Sequence, residues 1–143
     1  MRHTLLCLLA IITLTTSAQS NRSEWANQML EAKHNMLVEE MGLTPTQKEQ
    51  FLPMYEAMEK EIFQTNRDAR ATAAAVEKKA NPTDNEYYQA AEALSNAKVK
   101  EGEIEAKYFD KFAKILSKRQ LYQLKQAEAK FTRSMLKGRR PRK

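Results

Sequence analysis

Few side chains in this sequence could support metal or acid–base chemistry. The chain has two histidines and one cysteine, and both His3 and Cys7 lie near its start. A helix would place His34 on the same face as Glu31, three residues earlier. Because zinc takes three or four ligands and the usual i, i+4 histidine pair is missing, His34 is interpreted as a surface or boundary histidine, without a metal. A dimer that doubles the ligand set remains the alternative.

The residues that acyl or phosphoryl transfer needs are also missing. A nucleophile would need a partner base and an oxyanion site, and no glycine-rich loop follows a predicted strand. Carboxylates are abundant, but they mostly alternate with lysines on helix faces that should be solvated, as at Glu101, Glu103 and Glu105. The sequence therefore predicts a protein that is not an enzyme and that uses no cofactor.

The methionines are the more informative group. Six follow the first eighteen residues, and their flexible thioethers suit either an irregular helical core or an adaptable binding surface. On the second interpretation they form an apolar groove for non-native chains. Apolar spacing selects five candidate client-binding residues: Met29, Met36, Met54, Met58 and Ile62.

Residues 1–18 have the pattern of a signal peptide. A short basic start at Arg2 precedes an apolar run over 5–14 and the small residues that end at Ala18. The apolar run is shorter than the ~20 residues that cross a membrane. We predict export to the periplasm with cleavage after Ala18, which removes Cys7 and leaves no disulfide.

The positive charge is concentrated in the last seven residues. The chain carries a net charge of +6. Residues 137–143 contain five basic side chains and Arg2 supplies the sixth charge, so residues 19–136 are neutral. This composition argues against a nucleic-acid interface, which needs a basic face. The tail is interpreted as disordered and solvated, or alternatively as a weak contact with an anionic surface.

Caps and apolar periodicity predict an all-α fold. Glycine and proline are rare, and strong helix formers dominate. Gly42 is expected to end the first helix in the left-handed conformation, and Pro53 to kink the second without breaking it. Because neither glycine nor proline lies beside Ser117, the sequence leaves open whether the last two segments are separate helices or one bent helix. The predicted segments are about 23–41, 45–79, 84–115 and 118–136.

A five-residue pattern occurs twice and marks two of these helix starts. Leu43 to Gln47 reads Leu-Thr-Pro-Thr-Gln, and Leu116 to Gln120 reads Leu-Ser-Lys-Arg-Gln. In each copy the hydroxyl residue can cap the helix while the glutamine three positions later bonds back to the cap, a capping box. Thr44 and Ser117 are the two caps.

The two copies resemble the LTxxQ motifs of the Spy/CpxP-like family of periplasmic stress proteins. The resemblance assigns Leu43, Thr44, Gln47, Leu116, Ser117 and Gln120 to the motif positions. The second copy differs from the pattern in having serine in place of threonine. Members of that family are small helical proteins that form cradle-shaped dimers and act as ATP-independent chaperones or as envelope-stress modulators.

Together these features predict a single helical domain over residues 19–136. We expect a long antiparallel helical hairpin with short terminal helices that forms a cradle-like homodimer. The expected function is binding of unfolded or partly folded envelope proteins without ATP. The alternatives are a regulatory partner or metal sensor of the same family, and a structural coiled-coil subunit.

Overall fold

The computed structural model describes residues 13–138, and the side chains of residues 24–137. Within this span the chain forms four α-helices and no strand, so the predicted all-α class is confirmed for the described residues. The helices are α1 Thr13–Met41, α2 Pro45–Glu77, α3 Asp84–Phe112 and α4 Lys118–Gly138. None of the described helices is long and apolar enough to cross a membrane.

The link between α1 and α2 forms as its residue types predict. Gly42 follows α1 with φ of 59°, a conformation that costs other residues about 1–2 kcal/mol. Thr44 is the N-cap of α2, and Pro45 occupies the first turn, where its missing N–H has no partner to lose. Pro53 lies inside α2, and the helix continues through it.

Capping boxes also set the starts of α3 and α4. The Thr83 hydroxyl accepts from the Glu86 N–H at 3.3 Å, and the Glu86 carboxylate accepts from the Thr83 N–H at 3.0 Å. Between α3 and α4 the chain leaves the helical conformation over residues 113–117. The last two segments are therefore two helices, because Ser117 offers α4 a cap of its own.

Both ends of the described chain are more helical than the sequence suggests. Helix α1 already includes Thr13, the first described residue, ten positions before the expected start at Ser23, because residues 13–22 contain neither glycine nor proline to stop it. Helix α4 reaches Gly138, so the first two residues of the predicted disordered tail are helical. Residues 1–12 of the predicted signal peptide and residues 139–143 of the tail lie outside the described residues, and cleavage after Ala18 stays a prediction.

The chain divides into two compact units. The described part of one unit consists of residues 13–41 and 126–138, and the other unit is Gly42–Lys125. In the first unit Leu37, Met41 and Ala127 are buried, and the Lys33 ammonium lies 5.7 Å from the centre of the Phe131 ring. Lys130 pairs with Glu40 in the same unit.

The second unit is built on α2 and α3, which pack against each other in opposite directions. Cross-helix contacts join Phe51 to Phe112 near one end, and Asn66 to Glu101 farther along. As the residue number rises along α2, the number of its partner in α3 falls, so the two helices are antiparallel. The buried side chains of α2 and α3 are Phe51, Tyr55, Met58, Ala69, Ala90, Ala97, Tyr108 and Phe112.

Candidate functional site

The two LTxxQ-like motifs contact each other directly through their glutamines. The Gln47 amide Nε2 donates to Gln120 Oε1 at 3.0 Å, and the Gln120 Nε2 donates to Gln47 Oε1 at 2.9 Å. The two side chains are 73 positions apart in sequence. The reciprocal bonds tie the start of α2 to the start of α4 within the second unit.

Each glutamine also binds the backbone that leads into the other motif. Gln47 Nε2 donates to the Ile115 carbonyl at 3.0 Å, and Gln120 Nε2 reaches the Gly42 carbonyl at 3.5 Å. Both carbonyls lie two residues before the capping hydroxyl, at Thr44 and Ser117. The two copies are therefore related by an approximate two-fold arrangement, which neither copy alone reveals.

The capping bonds occupy the remaining hydrogen-bonding positions of the Gln47 and Gln120 side-chain amides. Gln47 Oε1 accepts from the Thr44 N–H at 3.1 Å, and Gln120 Oε1 accepts from the Ser117 N–H at 2.9 Å. In return Thr44 Oγ1 accepts from the Gln47 N–H, and Ser117 Oγ from the Gln120 N–H, both at 3.2 Å. Every amide N–H and both carbonyl lone pairs of each glutamine thus have a partner. We call this group of side chains the amide joint.

An aromatic cluster fills the core of the second unit. The Phe51 ring centre lies 4.9 Å from that of Phe112 and 5.3 Å from that of Tyr55, at tilted angles. Tyr108 extends the cluster with its ring centre 6.2 Å from that of Phe112. Because Phe51 and Phe112 are almost completely buried, these contacts hold the α2–α3 pair rigidly in register.

A charged group bridges α2 and α3 beside this cluster. The Glu61 carboxylate accepts from Lys107 Nζ at 2.5 Å and from the Tyr108 hydroxyl at 2.6 Å. These hydrogen bonds, that from Lys107 being the stronger effect, lower the pKa of Glu61. The bond to the carboxylate, together with burial, raises the pKa of Tyr108. Glu61 is thus held as an ion and acts as a cross-link between the helices.

The far end of the pair has a second ionic group. Glu86 pairs with Lys79 and accepts from the Thr83 backbone. The bond with Lys79, followed by that with Thr83, lowers the pKa of Glu86 to about 2. This group fixes the start of α3 to the beginning of the connecting segment, just after the end of α2.

The five candidate client-binding residues differ in exposure. Met58 is only 4% exposed and lies in the core of the second unit, so this side chain offers a client almost no surface. Its place on the α2 stripe with Phe51 and Tyr55 explains the burial. Met29, Met36, Met54 and Ile62 are half-buried. Their role in client binding stays a prediction.

Large apolar side chains are exposed elsewhere. Phe63 is 65% exposed, Tyr88 66% and Tyr122 67%. The sequence does not single them out, because apolar periodicity marks the core stripe of each helix and these three residues lie outside that stripe. Trp25, Tyr87, Leu94, Val99 and Phe109 are also exposed. The useful signal is an aromatic residue out of phase with the buried stripe.

The structure also revises the interpretation of His34. This side chain is 8% exposed and is therefore buried, although the sequence suggested a surface or boundary position. Leu37, three residues later, is completely buried and shows that this face of α1 is covered. Among the described residues, no group of three or more His, Cys, Asp and Glu side chains is arranged to hold a metal ion.

Comparison with known proteins adds no further assignment. No protein-family model, curated protein or solved structure matches the chain. The resemblance to the Spy/CpxP-like family therefore depends on the two motifs and stays a prediction.

Proposed function

We propose that the protein is an ATP-independent periplasmic chaperone that binds non-native polypeptides during envelope stress. The observation that carries the proposal is the exposure of large apolar side chains on capped helices. Phe63, Tyr88 and Tyr122 each expose about two thirds of their surface. Contiguous exposed apolar surface marks sites of interaction with apolar partners, and in this proposal the rings become part of such a surface in the assembled protein.

The arrangement suits a client without a fixed shape. The apolar side chains are spread along the helices instead of lining one deep pocket, so extended or partly folded segments can contact several at once. Aromatic side chains provide a large contact area for few rotatable bonds. The amide joint and the aromatic cluster keep the underlying helices fixed, so binding requires little ordering of the protein itself.

The proposed architecture is a helical hairpin of α2 and α3 with α1 and α4 as terminal helices, assembled as a cradle-like homodimer. A second copy would cover part of the exposed apolar surface and make the rest continuous. Sedimentation at micromolar concentration tests this arrangement. A stable monomer would overturn the dimer and leave the chaperone proposal to the assay below.

An aggregation assay tests the function. The purified protein without nucleotide is mixed with two unrelated denatured clients, and light scattering follows their aggregation. The expected result is suppression for both clients and a marked loss of suppression in the double variant Phe63→Ser, Tyr88→Ser. The matched control is Gln89→Ser, Glu92→Ser, which changes exposed polar residues of α3 and should leave suppression unchanged.

The outcomes separate the proposed function from its alternatives. Suppression of neither client would refute a general chaperone and favour a partner specific for one envelope protein. Retention of zinc, nickel or copper in equilibrium dialysis would favour a metal sensor. Equal loss in the aromatic and polar variants would refute the role of the exposed aromatic side chains.

A further inference from the structure

An apolar groove lies where the end of α3 meets the start of α4. It has a volume of about 560 Å³, within the range of small-molecule sites. Leu116 and Leu121, which are 6% and 8% exposed, form its buried floor. Phe109 and Tyr122 line it with exposed rings, and the small side chain of Ala113 also lines it. The groove lies entirely within the second unit.

Two lysines are the charged side chains of this groove. Lys118 is the first residue of α4, and Lys125 follows two turns later, about 10 Å along the helix axis. The surrounding segment is basic, because residues 109–125 contain five basic side chains and only one acidic side chain. The groove therefore combines an apolar interior with a positive rim, although residues 19–136 as a whole are neutral.

The two lysines differ in what they offer a ligand. Lys125 Nζ is 2.9 Å from the Glu105 carboxylate, so its charge is already balanced in part. Lys118 lies at the N-terminus of α4, where the helix dipole also attracts an anion. An anionic head group is thus best placed at Lys118, with an apolar chain running over Leu121 toward Lys125.

We propose that this groove binds a monomeric fatty acid. The carboxylate pairs with the Lys118 ammonium, and the alkyl chain packs over Leu116 and Leu121 between the Phe109 and Tyr122 rings. A second copy of this chain fits less well, since a symmetric contact here would bring its basic segment against the same basic segment. The inference does not require the proposed chaperone function, because it concerns one bounded groove and a small ligand; Tyr122 is the residue that the two proposals share.

Calorimetric titration of the full chain with dodecanoate, kept below its micelle concentration, tests the inference. Ala113→Phe places a ring in the groove at an exposed position. It should weaken binding about tenfold, because the ring blocks apolar contact between the groove and the alkyl chain. Lys118→Met should weaken dodecanoate binding severalfold and leave dodecanol binding unchanged. Lys114→Met is the matched control, since it removes a charge from the same basic segment outside the groove.

The controls make each outcome decisive. Circular dichroism must show that every variant keeps the helicity and thermal midpoint of the parent chain. Ala113→Ser is the control for Ala113→Phe, because it changes the same position without filling the groove. Dodecanol binding as tight as dodecanoate would overturn the role of the carboxylate. Equal effects of Lys114→Met and Lys118→Met would overturn the site. Binding only to phosphatidylglycerol vesicles or to acidic peptides, without monomeric dodecanoate, would overturn the ligand.

Discussion

Replacing Gln47 by glutamate separates the two roles of this side chain. Glutamate serves at the third position of a capping box as well as glutamine does, so the Thr44 cap is kept. The carboxylate, however, has no N–H to donate. It therefore loses the 3.0 Å bonds to the Ile115 carbonyl and to Gln120 Oε1, and places oxygen against oxygen at both.

The expected loss of stability follows from these two bonds. Each hydrogen bond contributes about 1 kcal/mol net, and an acceptor left without a donor adds to the loss, which gives about 2–3 kcal/mol. The new negative charge in the first turn of α2 offsets about 0.3–1 kcal/mol of this through the helix dipole. The net expectation is a destabilisation of about 2 kcal/mol, or a fall in Tm of about 4–8 °C for a chain of this length.

Urea unfolding followed by helical circular dichroism measures the effect at pH 7. Thr46→Glu is the matched control, because it adds the same charge at an exposed neighbouring position without touching the amide joint. It should leave stability unchanged or raise it slightly. Near pH 4 the new carboxyl takes up a proton and can donate to Ile115 again, so the gap between wild type and Gln47→Glu should narrow.

A stability for Gln47→Glu within a few tenths of a kcal/mol of wild type would refute the reasoning. The glutamine would then act only as a cap, and the contact between the motifs would contribute nothing to stability. A loss in Thr46→Glu as large as that in Gln47→Glu would assign the effect to charge. A gap that does not change with pH would rule out the restored donor.

Four further variants test other parts of the structure. Gly102→Ala should stabilise by about 0.5–1 kcal/mol in urea unfolding, since Gly102 lies inside α3 with open space around its Cα. Gly42→Ala should instead destabilise by about 1 kcal/mol in the same assay, because φ is 59° there, and a gain would contradict the strain argument. Phe112→Ala should destabilise by about 3–5 kcal/mol, and a loss below 1 kcal/mol would show that the aromatic cluster is not tightly packed. Because the pKa of Glu61 is lowered by folding, its contribution is present above pH 4.5 and is lost as pH falls through the folded pKa. Glu61→Gln should therefore approach wild-type stability in acid, and a constant difference would contradict the role of the bonds from Lys107 and Tyr108.

The sequence predicts the helix boundaries well wherever a cap is encoded locally. Helices α2, α3 and α4 begin at Pro45, Asp84 and Lys118, each directly after a hydroxyl residue with its capping partner three positions later. Gly42 ends α1 as expected, since only a backbone tolerant of positive φ fits there. These features depend on residues within a few positions of one another.

The features that the sequence does not predict depend on distant residues. Each motif explains its own cap, but nothing in either copy shows that Gln47 and Gln120 bind each other across the fold. The type of residue 58 also leaves its exposure open, because a methionine suits a core and a surface equally well. Met58 is buried because it lies on the same face of α2 as Phe51 and Tyr55, and that face packs against α3 through Phe112.

The groups that hold the two ends of the α2–α3 pair respond differently to the surrounding solution. At one end Gln47 of α2 bonds to Ile115, just after α3, and to Gln120 through uncharged amides that do not titrate. At the other end Glu86 and Lys79 form an ion pair that salt screens and strong acid abolishes. In a compartment whose acidity and ionic strength follow the outside medium, acid or salt would therefore weaken the Lys79–Glu86 end of the pair first. The end held by the amides would keep its geometry.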